Sequence, residues 1–167
     1  IALHPGATIA RFTQAGGKAA AQTASGESLS ADMIVAGIGV SPCVELAQRA
    51  GIETGDGIHT DEYLATSVPH VYAGGDVAAL KSPETGDRRR VEHWQTAHDH
   101  GKTAAANMMG AGNPYLAPPY FFSDTFDASW EFWGFVDRAE ECVTIGPVEK
   151  GSFSVWWTRH GVVQAAF

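Results

Sequence analysis

A mixed α/β chain that closes in an antiparallel, aromatic-rich α+β region is the fold class predicted for these 167 residues. Three observations carry it. Residues 7–39, "ATIARFTQAGGKAAAQTASGESLSADMIVAGIG", break into short segments at glycine-containing turns. Residues 94–110, "WQTAHDHGKTAAANMMG", repeat their small and apolar positions at helical spacing. Beyond a proline-rich stretch come "WEFWGF", "CVTIG" and "FSVWWTRHGVVQAAF", aromatic and β-branched runs that read as strands.

Taken in order, Gly16-Gly17 and Ser25-Gly26 are hairpin turns between strands. Met33 to Ile38 is apolar on both sides of the pleat, which predicts a buried strand. Ser41 is placed to cap a helix of about two turns, with Pro42 at its first position and Gly51 as its stop. Brief strands separated by turns follow through "GIHTDEYLATSVPHVYAGGDVAAL". The next helix puts Trp94, Ala97, Gly101, Ala104, Ala105 and Met108 on one face, with Gly110 at its C-terminal cap. "GNPYLAPPY", residues 112–120, is the boundary, because its prolines deny both helix and central strand. The last strands form a hairpin turning at His160-Gly161. This organisation divides the chain at 1–40, 41–115 and 116–167.

Composition excludes several function classes. Eleven Lys and Arg against nineteen Asp and Glu, a net charge of -8, leave no basic patch for nucleic acid, and the only basic run is "RRR" at 88–90. That run is a solvated turn or a surface that steers an acidic partner. No stretch reaches the roughly 18 apolar residues of a membrane span. With two distant cysteines, Cys43 and Cys142, the chain reads as soluble, intracellular and reduced, with a cytoplasmic location. His93, His98 and His100 do not face one another as i, i+2 neighbours and lack an acidic partner, so no metal site is expected. The chain opens on "IALHPG" without Met and stops at Phe167 within a strand, which reads as a fragment.

Two short motifs bear on chemistry. "AGIGVSP" has two of the three glycines of a dinucleotide fingerprint, Gly37 and Gly39, with Pro42 where the third belongs. Taken alone it is a strand-to-helix turn. "YAGGDV", residues 72–77, sets Gly74 and Gly75 at a strand exit and follows them with Asp76. Glycines there let a backbone approach a ligand closely, and the carboxylate either accepts from a polyol hydroxyl or caps the backbone amides that follow.

With "RVEHWQTAHDHGKTAAANMMG" and "PYFFSDTFD", these motifs fall in the order and separation of flavoprotein pyridine nucleotide oxidoreductases. The chain resembles the ferredoxin-reductase branch of that superfamily over essentially its whole length. The resemblance implies the remnant of a flavoprotein with two dinucleotide-binding domains, followed by a C-terminal antiparallel-sheet reductase domain. Its cofactors would be FAD and NAD(P)H, and its electrons would pass from NAD(P)H through flavin to a ferredoxin-type [2Fe-2S] acceptor. By that likeness Gly75 and Asp76 meet the FAD ribityl chain, and the helix beginning near Trp94 aims its amides at the flavin pyrimidine edge. Phe122 packs beside the isoalloxazine, while Tyr120 and Phe121 are core aromatics. Gly37 and Gly39 line NAD(P)H, and Glu92 sits on the nicotinamide side or is a solvated carboxylate at a helix start. Two full GxGxxG motifs, expected upstream, are absent here, so the chain alone is expected to be inactive. No side chain is expected to act as a nucleophile. The alternatives are a flavin disulfide reductase or NADH oxidase of the same superfamily, or a folded interaction module whose aromatic region mediates homodimerisation.

Overall fold

The computed structural model describes residues 2–83 and 85–167. They form two compact units, residues 1–40 and 41–167.

The first unit is an antiparallel sheet of β1 (Ile9–Ala15), β2 (Lys18–Thr23) and β3 (Ser28–Ala31) in sequence order. Gly16 and Gly17, at φ 61° and 81°, make the two-residue turn that the strand twist requires. Ser25 and Gly26 (φ 93°) lie in the second turn, where Thr23 Oγ1 accepts from the Glu27 amide at 3.0 Å. Met33 to Ile38 departs from expectation. It forms no strand, and Met33, Val35 and Ile38 are 77, 87 and 90% exposed. A strand apolar on both faces needs hydrogen-bonded neighbours and cover on each side. Among the described residues of this unit, none flanks it.

The second unit opens with α1 (Glu45–Arg49). Ser41 and Pro42 stay outside this helix, whose cap position is Val44 with no side-chain cap bond. It starts instead at Glu45 and ends with Arg49, acidic first and basic last as the helix dipole favours, and it runs five residues rather than two turns. Gly51, at φ 73°, stops it and donates to the Gln48 carbonyl at 3.0 Å.

A four-stranded sheet follows in the order β4 (Thr54–Gly55), β5 (Gly57–Thr60), β6 (Ala78–Lys81) and β7 (Arg88–Arg89). β5 and β6 are parallel, and residues 61–77 make the crossover between them. Leu64, fully buried, and Thr60, Ala78 and Ala79, at most 3% exposed, form the centre of this layer.

α2 (Trp94–Met108) ends at Gly110, whose φ of 88° and amide bond to the Asn107 carbonyl at 2.9 Å complete the expected C-terminal cap. The face that α2 buries shares only Ala104 with the small-residue face of the sequence pattern. Thr96, His100, Ala104 and Asn107 point inward. Asn107 holds its position because partners meet it. Asn107 Nδ2 donates to the carbonyls of Tyr63 and Asn113 at 2.9 and 2.8 Å, and its Oδ1 accepts from the Asn113 amide at 2.8 Å.

Residues 111–119 are irregular, and Tyr115 anchors them through its amide to the Glu62 carbonyl at 2.7 Å. The remainder is a five-stranded antiparallel sheet, in the order β10 (Glu141–Ile145), β11 (Ser154–Arg159), β12 (Val162–Ala166), β9 (Ala128–Gly134) and β8 (Tyr120–Thr125). β11 and β12 are joined at His160-Gly161, as the sequence predicts. Alternation puts Phe121, Trp130, Phe132 and Trp157 on one face in a chain of ring contacts between 5.3 and 5.7 Å. Tyr120, Phe122 and Trp133 occupy the other.

Candidate cofactor groove

The chain leaves Tyr72 through Ala73, Gly74 and Gly75 and turns at Asp76 in a single 3₁₀ turn, Gly75–Val77, before β6 begins. α2 runs alongside. The helix approaches so closely that a Cβ at Gly74 would stand 3.1 Å from His100 Cβ. Gly75, at φ +75°, adopts a backbone that other residues rarely take. The Gly75 amide donates to His100 Nδ1 at 3.2 Å.

Between these two segments lies an open groove of about 520 Å³. Its α2 wall is Ala97, Gly101, Ala104, Ala105 and Met108, which is the small-residue face legible in the sequence. That face lines a groove rather than a core, and glycine and alanine on it admit a flat or slender group close to both backbones.

Polar groups gather at the α2 start. Ala97 donates the first intrahelical bond, to the His93 carbonyl at 3.0 Å. The helix has no side-chain cap and no acidic residue in its first turn, so the positive end of its dipole meets no carboxylate there. Trp94 is 70% exposed and stacks on His98 at 5.2 Å. The Asp76 side chain is exposed, not buried as a carboxylate between apolar residues suggests. It caps no backbone amide of its own turn. Its field reaches His93, whose pKa burial lowers while Asp76 opposes the shift.

Arg90 holds this turn from behind. Its side chain is 11% exposed, and its Nη1 lies 2.7 Å from both the Asp76 carbonyl and Glu92 Oε1. A third contact, Nε to Asp56 at 3.2 Å, completes the set. Glu92 is therefore paired with Arg90 while its side chain stays 41% exposed. Each guanidinium of the "RRR" run has an acceptor within the chain. Arg88 donates to the Thr60 and Ala79 carbonyls at 2.7 and 3.3 Å, and Arg89 grips Asp137 with two bonds at 2.9 and 2.5 Å. Residues 88–89 are thus a strand rather than a turn, although Arg88 stays exposed. Three consecutive arginines alternate across a strand edge, so each finds a different acceptor.

β8 passes the start of α2 with the Phe121 ring 4.5 Å from His93. Phe122 lies on the opposite face, 55% exposed, on an edge strand. Tyr120 meets Trp133 in a tilted ring contact at 4.1 Å and is half-buried. Gly75, Asp76, Trp94 and Glu92 thus converge on one end of α2. Gly37 and Gly39 belong to the first unit, where a Cβ on either would meet nothing within 4 Å. Arg90 and His100 were not singled out as site residues from sequence. An arginine run flanking a Gly-Gly-Asp turn was the available signal for Arg90, and a polar residue on the helix face opposite the glycine was the signal for His100. Cys43 and Cys142 are both free and exposed. Among the described residues no helix is long and apolar enough to cross a membrane.

Residues 1–101 match the family model described as pyridine nucleotide-disulphide oxidoreductase. The chain belongs to that family. Its likeness runs to the ferredoxin-reductase branch. It is 36% identical over 152 residues to the ferredoxin–NAD(+) reductase component of the anthranilate 1,2-dioxygenase system of Burkholderia cepacia, covering 90% of this chain and 37% of that protein. The ferredoxin reductase for the CYP199A2 system from Rhodopseudomonas palustris superposes with a TM-score of 0.88 at 34% identity, over 98% of this chain and 41% of that one. Putidaredoxin reductase, in its covalent complex with putidaredoxin, gives 0.85 at 28% identity, over 96% and 39%. The chain therefore spans about two fifths of the length of these family members.

Proposed function

We propose that this chain supplies the C-terminal, flavin-facing part of an FAD-dependent NAD(P)H oxidoreductase whose acceptor is a ferredoxin-type [2Fe-2S] protein. The observation that carries it is the groove between Gly74-Gly75 and the small-residue face of α2, with Asp76 beside one end. The residues fit the cofactor. A groove walled by glycine and alanine accepts a slender polyol, Asp76 offers an exposed carboxylate to its hydroxyls, and the uncapped α2 start favours electron density at a ring edge. Family membership and the named reductases support the same reading.

When bound, FAD supplies hydride acceptance from NAD(P)H and one-electron delivery to an iron-sulfur centre. The chain's own residues bind and orient. Arg90 fixes the carbonyl behind Asp76, so the carboxylate is presented forward. Trp94 and Phe122 offer exposed aromatic surface that would keep water from a flavin ring, and Glu92 and Arg90 form a paired polar edge near the start of α2. Gly37 and Gly39 would leave room for NAD(P)H against the backbone of the first unit.

The test is to purify the intact flavoprotein, titrate it anaerobically with NADH and NADPH, and then add a [2Fe-2S] ferredoxin. Flavin bleaching followed by reduction of the iron-sulfur chromophore is expected. Electron delivery to a disulfide or to oxygen, with none to ferredoxin, would move the protein to a disulfide reductase or NADH oxidase role.

A further inference from the structure

Behind the groove, on the buried side of α2, lies a cavity of about 80 Å³. Leu80, Arg89, Thr96, His100, Tyr115 and Phe135 are among its walls. Most of this lining is apolar, yet two polar atoms in it have no partner. Thr96 Oγ1 and His100 Nε2 are fully buried, in residues 3% and 2% exposed, and neither makes a hydrogen bond. They stand one helical turn apart on the same face of α2. The Tyr115 ring meets the His100 ring edge-on at 4.4 Å, and the Thr96 hydroxyl influences its phenol.

The protonation of His100 follows from its other nitrogen. Nδ1 accepts from the Gly75 amide, so in the neutral ring the proton is on Nε2. A buried N–H donor without an acceptor costs about 1 to 3 kcal/mol. Buried polar atoms of this kind are commonly satisfied by internal water, and the cavity has room for at least one molecule. A water there would accept from His100 Nε2 and from the Thr96 hydroxyl.

We propose that Thr96, His100 and Tyr115 enclose a site for an ordered water molecule, and that this water locks His100 as the positioning residue for the Gly75 amide in the cofactor groove. The consequence for the cofactor rests on the FAD reading above; the water and the tautomer do not. His100 is not among the residues that line the groove. It acts through Gly75, by holding the glycine turn at the distance from α2 that leaves the groove open.

Three measurements on the intact protein test this. A crystal structure that resolves waters is expected to show one within hydrogen-bond distance of His100 Nε2 and Thr96 Oγ1, and a dry cavity overturns the proposal. Nitrogen-15 spectra of labelled histidine, in apoprotein or holoprotein, are expected to report a bare Nδ1 and a protonated Nε2 for His100. The opposite tautomer overturns it as well. His100→Leu is expected to weaken FAD binding about tenfold, while His100→Gln, whose amide oxygen can accept from Gly75, stays within about twofold of the parent. Equal FAD affinity in all three forms sinks the positioning role. If His100→Leu does not fold, the tautomer and the water still decide. A parent that holds no FAD while showing both would instead defeat the flavin reading.

Discussion

Arg90 sets its Nη1 2.7 Å from the carbonyl oxygen of Asp76, so the turn that carries the carboxylate is braced by a side chain fourteen residues further along. The same guanidinium binds Glu92 and Asp56, which draws the approach to α2 onto the back of the turn. A planar fork is suited to three acceptors at once, and these contacts hold its pKa above the ordinary arginine value, with the Glu92 hydrogen bond the largest cause.

Arg90→Ala removes that brace and strands its acceptors. The expected loss is about 1 to 3 kcal/mol of stability, accompanied by weaker FAD retention. Arg90→Lys should recover only part of it, because an ammonium cannot span the three sites. Chemical denaturation and flavin release measured on the same preparations check this; a lysine variant equal to the parent would show that charge alone suffices.

Under the FAD reading, Asp76 has the cofactor as its partner. It neither caps its turn nor lies buried, so its expected contribution is to a ligand. Asp76→Ala in the intact enzyme should weaken FAD retention by about 1 to 2 kcal/mol, with thermal stability of the apoprotein nearly unchanged, and Asp76→Asn should lose less. Flavin dissociation followed by fluorescence separates the outcomes. Parent-like retention in both variants would remove Asp76 from the site.

Burial lowers the pKa of His100 below the ordinary histidine value of 6.5, opposed by Asp99, and burial lowers His93 likewise, opposed by Asp76. The groups facing His100 are Tyr115 from the irregular segment, Arg89 across the cavity, Asp99 on its own helix and the uncharged Gly74-Gly75 backbone. Unfolded histidine takes up a proton as the pH falls through about 6.5, whereas the buried rings resist until lower pH. The stability they contribute is therefore present above that value and lost as the pH falls through their lowered folded values. Denaturant midpoints should decline from pH 7 to pH 5, and His100→Gln should flatten the slope. An unchanged slope in that variant would assign the decline elsewhere.

What the sequence disclosed was mostly local. Gly16-Gly17, Gly51, Gly110 and His160-Gly161 were legible because positive φ restricts residue choice without regard to tertiary context. The grouping of Tyr120 with Phe121 did not follow the pleat, which puts Tyr120 on the face of Phe122. The failures were relational. Met33 to Ile38 has the composition of a buried strand, but burial depends on neighbours that composition does not specify. The small-residue face of α2 was correct as a face and incomplete as a destination, since glycine and alanine suit both tight packing and a groove. Asp76 was visible as a carboxylate among apolar residues. The arginine that fixes it was hidden in a charged run of ordinary appearance.

Phe122 and Tyr120 share one face of β8, 6.2 Å apart, and differ in what they touch. Tyr120 is half-buried against Trp133, while Phe122 is 55% exposed on the edge strand. Truncating Tyr120 removes a close tilted ring contact, so Tyr120→Ala should lower the thermal midpoint with the flavin spectrum unchanged. Phe122→Ala removes little packing and should leave the midpoint close to that of the parent. If its ring shields the isoalloxazine, the loss admits water and oxygen. The flavin absorption bands should then shift and NAD(P)H-dependent hydrogen peroxide formation should rise, with FAD content nearly constant. Paired melting curves, absorption spectra and peroxide assays on the two variants separate site from scaffold. An early-melting Phe122→Ala enzyme with a parental spectrum and parental peroxide yield would assign that ring to packing.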